Sequence, residues 1–330
     1  MSQALFNRLQ FIEQSLQDLR KELKQELEQS AKVSQPVIAP TPVRTTPSNA
    51  DKVPFSLEFF PAKSDEEQEK LFAVFQELST LNPQYCSVTY GAGGTTRKRT
   101  LGIVQSFRER STLPVVPHLS CIGDSRAEIG ELLDFYKDLG VKRVVALRGD
   151  LPSGQVGYGE LPFAVDLVKF IREHSGEHFN IKVAAYPEMH PQAKSFAHDI
   201  KNLADKYHAG ANEAITQFFY NADSYLYLRD ALAKMGIHQE QFPIIAGIMP
   251  ITNASNLIRF ADGCGAEIPR FIKKQLADYG DDRLAIREFG FEVVHHLCER
   301  LIKEGVPSLH FYSMNQVKPT KQLVESLGLV

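Results

Sequence analysis

Eight short apolar runs, each closing on polar or glycine-rich residues and nearly all followed by a stretch of helical periodicity, constrain this chain more than any other feature. They occupy residues 55–60, 85–90, 115–121, 141–147, 181–186, 214–220, 243–249 and 308–312, and are rich in Val, Ile, Phe and Tyr. Runs of that kind suit fully buried strands, whereas 194–207 and 223–235 carry apolar residues at helical spacing. Eight strand-helix units fit a closed parallel barrel. The expected class is α/β, a (β/α)8 TIM barrel with an N-terminal helical extension. Chemistry in such a barrel gathers at the C-terminal strand ends. Those ends carry Glu58, Thr89 with Tyr90, His118, Arg148 with Asp150, Tyr186 with His190, Gln217, Asn253 and Tyr312 with Asn315. Buried ionisable groups are costly unless paired or used, so their recurrence on nearly every strand points to a shared ligand and to an enzyme.

Residues 1–30 read as a charged amphipathic helix with Leu5, Leu9, Ile12, Leu16, Leu19 and Leu23 in one stripe. That stripe needs a cover, so the helix is expected to cap the chain's own barrel or to join subunits, and a homo-oligomer is expected. Residues 31–52, with Pro36, Pro40, Pro42 and Pro47, read as a Pro/Ser/Thr-rich linker, which puts the catalytic unit at 53–330. Before the last strand, 268–279 and 283–303 read as two successive helices. The 37 Lys and Arg against 40 Asp and Glu leave a net charge of −3, with no long basic run and no Trp, so nucleic acid is not an expected partner. No apolar stretch is long enough to span a membrane and the N-terminus lacks a signal core, so no membrane partner and a cytoplasmic location are expected. Cys86, Cys121, Cys264 and Cys298 are widely spaced and read as reduced structural thiols.

Glu58 lies in Phe55-Ser-Leu-Glu-Phe-Phe-Pro61, where strand alternation gives it the face of Ser56 and Phe60. An inward carboxylate among aromatics is expected to have its acidity weakened by desolvation, which suits a general acid; the other reading is a Glu paired to a basic neighbour inside the barrel. Gly91, Gly93 and Gly94 after Tyr90 allow close backbone approach to a ligand but lack the spacing of a dinucleotide fingerprint. Arg148 and Asp150 flank Gly149 just past a strand. The guanidinium suits a phosphate or carbonyl and the carboxylate a ring bearing N–H donors or a developing cation, unless the two form a local ion pair. Gln217 can read an amide edge or serve as a strand-end hydrogen bonder. His190 sits between Pro187 and Pro191, and His174 with His178 and His295 with His296 lack further ligands, so no metal is expected. The chain has no nucleophile elbow, Walker phosphate loop or Cys–His signature, which removes most of the case for acyl transfer and nucleotide hydrolysis.

Leu57-Glu-Phe-Phe-Pro61, Ser87-Val-Thr-Tyr-Gly-Ala92, Pro117-His-Leu-Ser-Cys121, Val145-Ala-Leu-Arg-Gly-Asp-Leu-Pro152, Val183-Ala-Ala-Tyr-Pro-Glu-Met-His-Pro191, Ile215-Thr-Gln-Phe-Phe219 and Pro243-Ile-Ile-Ala-Gly-Ile-Met-Pro250 closely resemble the 5,10-methylenetetrahydrofolate reductases, in family order over about residues 53–330. The resemblance implies a flavin barrel of the short bacterial type, without the C-terminal regulatory domain of eukaryotic relatives. It implies a ping-pong hydride transfer from NADH or NADPH through FAD to 5,10-methylenetetrahydrofolate, giving 5-methyltetrahydrofolate for one-carbon metabolism and methionine supply. By the motif match, Glu58 would be the general acid that opens the folate ring, and Asp150 would stabilise the resulting 5-iminium cation. Gln217 would hold the pterin, and Phe260 would stack on folate or nicotinamide. Gln316 stands where an Arg contacts folate in the family. The positions matching FAD contacts are Thr89, His118, Arg148, Gly149, Asp150, Ala164, Tyr186, His190, Asp199, Asn202, Lys206, Ile215 and Tyr312. Two further departures are Asp205, where enterobacterial relatives have an Arg on that helix, and Phe163 in place of a Tyr near the flavin loop. The residues also admit a flavin barrel of the proline dehydrogenase type, or a non-catalytic barrel that recruits a partner through its N-terminal helix.

Overall fold

Each of the eight apolar runs forms a strand: β1 (Phe55–Phe59), β2 (Cys86–Val88), β3 (Val115–Ser120), β4 (Arg143–Leu147), β5 (Asn180–Ala185), β6 (Glu213–Thr216), β7 (Ile244–Ile248) and β8 (Leu309–Tyr312). All pair in parallel, in sequence order, and β8 returns to β1 to close the barrel. This computed structural model describes residues 52–62, 64–90, 94–150 and 159–330, with the backbone alone over 94–98. The chain divides into Met1–Ala50 and Asp51–Val330. The helix expected over 1–30 and all but the last residue of the linker expected over 31–52 lie outside the described residues.

Helices α1 (Asp65–Ser79), α2 (Gly94–Arg110), α3 (Arg126–Asp138), α4 (Ala164–Ser175), α5 (Phe196–His208) and α6 (Ala222–Lys234) follow the first six strands. Between β7 and β8 come three helices rather than the two expected: α7 (Ala254–Cys264), α8 (Arg270–Tyr279) and α9 (Arg283–Lys303). The added one, α7, buries Leu257 and Ala261 and starts where the Asn253 side chain accepts from Asn256 N. α10 (Val317–Ser326) follows β8. Ser64, Ser195, Asn221 and Asp282 cap other helices in the same way, and Ser125 forms a full capping box with Glu128. No helix among the described residues is long and apolar enough to cross a membrane.

Strand alternation sorts the core into two layers. Phe55, Leu57 and Phe59 of β1 join the main cluster under the helices, where Phe75 and Phe107 stack at 3.8 Å and Phe59 meets both edge-on. The opposite face of the strands places Tyr85, Val116, Val145, Ile215 and Ile245 in a second cluster inside the barrel. Lys182 is also buried there, paired with Glu213 and 4.7 Å over the Tyr85 ring. That plug fills the lower interior and leaves the upper end to the polar residues.

Candidate active site

At the C-terminal ends of the strands lies a cleft of about 350 Å³. Glu58, Thr89, Tyr90, His118, Tyr186, Ile215, Gln217, Phe260 and Tyr312 line it, with Phe218, Met249, Cys264 and Met314 among their neighbours. Glu58 is only 5% exposed and pairs in register with Ser87 on one side and Tyr312 on the other. Its Oε2 lies 3.2 Å from His118 Nε2 and 3.3 Å from His310 Nε2, and accepts from Ser87 Oγ at 3.4 Å.

This geometry corrects the expectation of a weakened acid. Burial alone would push the carboxyl up, but the close approach of His118 and the hydrogen bond and charge of His310 outweigh it, holding Glu58 down to about 2 against an ordinary 4.5. Glu58 therefore rests as a carboxylate, in the paired arrangement that was the alternative reading.

Above the cleft, Tyr312 Oη donates to Thr216 O at 2.6 Å, crossing from β8 to β6. The crossing needs Gly247 between them, because a Cβ there would overlap Thr216 O and stand 2.8 Å from the Tyr312 ring. Gln217 Oε1 accepts from Phe218 N at 3.0 Å, which leaves its Nε2 to donate to a ligand.

The remaining expected residues form a shelf beside the cleft. Gly149 has φ +85°, and a Cβ at that position would overlap Ser120 Oγ, so the backbone there stays bare. Arg148 Nη1 donates to Gln192 Oε1 at 2.7 Å, and Asp150 is exposed, so the two do not form the local ion pair considered from the sequence. Asp199 Oδ2 accepts from His190 N at 2.8 Å, and the His190 ring meets Tyr186 edge-on at 4.6 Å. Lys206 donates to Ala184 O at 2.5 Å; burial pushes its ammonium down to about 8, partly offset by Asp199. Asn202 shares α5 with them, and Ala164 opens α4. Asp205 is held by Lys201 at 2.6 Å, and Phe163 is 55% exposed. Gln316 lies apart from the cleft, in a groove of about 1270 Å³ between α9 and α10. Among the described residues, no group of three or more His, Cys, Asp or Glu is arranged to hold a metal.

The sequence reading passed over His310 and Asn315's partner. His310 is reachable by alternation: Tyr312 faces inward, so His310, two residues earlier, does too. Met314 and Asn315 both have φ 52°, and the Asn315 side chain accepts from Phe60 N and donates to Phe60 O, each at 3.0 Å, tying the β8 loop to the end of β1.

The family described as methylenetetrahydrofolate reductase matches residues 43–328. The 5,10-methylenetetrahydrofolate reductase of Buchnera aphidicola subsp. Schizaphis graminum is 39% identical over 279 residues, 84% of this chain and 93% of the relative. That of Escherichia coli K12 is 39% identical over 274 residues, 83% of this chain and 90% of the relative. Among solved structures, a Clostridium thermocellum protein that binds two copies of 5-methyl-5,6,7,8-tetrahydrofolic acid matches with a TM-score of 0.55 over 83% of this chain and 92% of its own, at 16% identity, a likeness of fold alone.

Proposed function

Since this chain belongs to the methylenetetrahydrofolate reductase family and is an oxidoreductase, we propose that it reduces 5,10-methylenetetrahydrofolate to 5-methyltetrahydrofolate with FAD as resident cofactor and NADH or NADPH as donor. When bound, FAD supplies hydride transfer, serving nicotinamide and folate in alternating turns. The observation that carries this reading is a carboxylate shared between two imidazoles at the floor of a cleft walled by aromatic and amide side chains.

The shelf residues suit such a group. Arg148 and the buried, weakly paired Lys206 offer cationic donors to an anionic ligand, and Gly149 lets the loop that carries Arg148 pack directly on Ser120. Thr89, His118, Asp150, Ala164, Tyr186, His190, Asp199, Asn202, Ile215 and Tyr312 complete the proposed contacts. Glu58 passes a proton to the amine nitrogen that leaves as the folate ring opens, and Asp150 faces the cation so formed. Gln217 donates to the pterin amide edge, Phe260 stacks on whichever substrate is present, and Gln316 meets the outer end of folate from its groove. The same reading assigns 53–330 to the catalytic barrel, 31–52 to a linker and 1–30 to an amphipathic helix that caps the barrel or joins subunits, in a cytoplasmic enzyme of one-carbon metabolism.

The test is an absorption spectrum of the purified protein with FAD, taken anaerobically through two additions. Bleaching by NADH or NADPH followed by recovery with 5,10-methylenetetrahydrofolate is expected. Failure to hold flavin, or recovery with no folate present, refutes the reading.

A further inference from the structure

His310 has no part in the contacts proposed above, yet it is one of the most constrained side chains in the barrel. It is 0% exposed on the inward face of β8. Its Nδ1 lies 2.7 Å from Ser56 Oγ, and its Nε2 lies 3.3 Å from Glu58 Oε2 and 3.4 Å from Ser87 Oγ. Tyr85 stacks beneath the ring at 6.0 Å and 24°, and Tyr312 meets it edge-on at 5.5 Å. The imidazole is therefore held at both nitrogens, Nδ1 by Ser56 and Nε2 by Glu58 and Ser87. Which nitrogen keeps a proton is set by the partner of the other.

Resting on the reading under Proposed function, the geometry points to His310 as the positioning residue that stores and returns the proton used by Glu58, with Ser56 holding Nδ1–H in both charge states. In the charged imidazole, Nδ1–H donates to Ser56 Oγ and Nε2–H to Glu58 Oε2. Transfer breaks the Nε2–H bond and forms an O–H bond on Glu58, leaving a neutral imidazole whose Nδ1–H still donates to Ser56. The Glu58 O–H bond then breaks as the amine N–H bond forms, while the departing C–N electron pair stays on nitrogen. Between turnovers a solvent proton taken up by Glu58 at the cleft forms its O–H bond again, and that bond breaks as Nε2–H re-forms on the imidazole. Every hydrogen bond described for the Glu58 carboxylate uses Oε2, which leaves Oε1 for the substrate at the cleft.

The surroundings of the ring weaken its hold on a proton, so the charged imidazole is a ready donor. Burial lowers its affinity and the Glu58 carboxylate restores part of it, while His118 of β3 and Lys182 of β5 oppose charging. Lys182 is itself offset by Glu213 of β6; Arg143 of β4 reaches the Tyr85 ring at 5.8 Å, and Tyr85 and Tyr312 stay neutral because burial raises both phenols.

The test compares the wild type with His310→Gln, which keeps a donor toward Glu58 but cannot release a proton, and with Ser56→Ala. Folate turnover in His310→Gln should fall by about tenfold or more at pH 7 and lose one ionisation from its pH profile, whereas nicotinamide oxidation by an artificial quinone should change less than twofold. Ser56→Ala should shift that ionisation without removing it. A His310→Gln pH profile that superimposes on the wild type, or an equal fall in both activities, overturns the inference. Histidine NMR provides a readout free of turnover: the His310 midpoint should drop when Glu58 becomes Gln, and an unmoved midpoint overturns the inference even if the wild type proves inactive with folate. Absent folate turnover with a coupled His310–Glu58 titration instead defeats the functional reading and leaves the proton pair standing.

Discussion

Replacing Gly149 with Ala tests whether the shelf beside the cleft is built on a bare backbone. Gly149 has φ +85°, a conformation that costs an L-residue about 1–2 kcal/mol. The added Cβ would overlap Ser120 Oγ and stand 3.0 Å from Ile122 Cγ2 and 3.2 Å from Ser120 Cβ. The loop cannot drift away, because Arg148 O already accepts from Ser120 Oγ at 2.8 Å and from Ile122 N at 2.9 Å. Ser120 must give way, which sacrifices its bond to Arg148 O for about another 1 kcal/mol. Gly149→Ala should therefore lose about 2–3 kcal/mol, read from the urea midpoint. Ser120→Ala alone should lose about 1 kcal/mol. The double variant should lose about 1 kcal/mol less than the sum, because removing the hydroxyl also removes the overlap, although Ile122 and the backbone angle remain. Losses that add to within about 0.3 kcal/mol would show that Ser120 is not the obstacle, and the reasoning about Gly149 would fail.

Glu58→Gln should leave nicotinamide-driven quinone reduction intact and cut folate reduction by about 10²–10⁴-fold, measured by following each half-reaction separately. Because the folded Glu58 carboxyl is held at about 2 rather than 4.5, its stabilisation is complete above pH 4.5 and fades as pH falls toward 2. The wild type should accordingly lose about 2 kcal/mol more than Glu58→Gln between pH 5 and 3 in urea titrations, and parallel losses would refute the paired carboxylate. Gly247→Ala should cost about 3 kcal/mol and free the Tyr312 hydroxyl, since Thr216 O belongs to a strand that cannot retreat; an unchanged melting temperature would contradict the crossing.

Much of the barrel was legible because buried strands and amphipathic helices each leave a period that survives in a single chain. The run at 308–312 became β8 at Leu309–Tyr312, and 283–303 became α9 without revision. α7 was passed over although Leu257, Ile258, Ala261 and Cys264 fall at helical spacing, so its period was present in the sequence. Glu58, Thr89, Tyr90, His118, Tyr186, Gln217 and Tyr312 share one cleft, yet Asn253 went to a helix cap and Gln316 to a separate groove, because their placement depends on where the helices leave the strands rather than on the strand pattern. The charge of Glu58 was misjudged for a similar reason. Desolvation could be inferred from Leu57 and Phe59, but its two imidazoles come from positions 60 and 252 residues further along the chain.

What the sequence by itself determined was the eightfold alternation, the inward face of each strand and the polar residues that close the strands, since these follow from side-chain period and burial. Only the tertiary structure decided which of those residues meet. Barrel closure sets β8 beside β1 and brings Ser56, Glu58, Ser87, His118 and His310 within hydrogen-bond or ion-pair distance of one another, and proton affinity depends on that distance rather than on residue type.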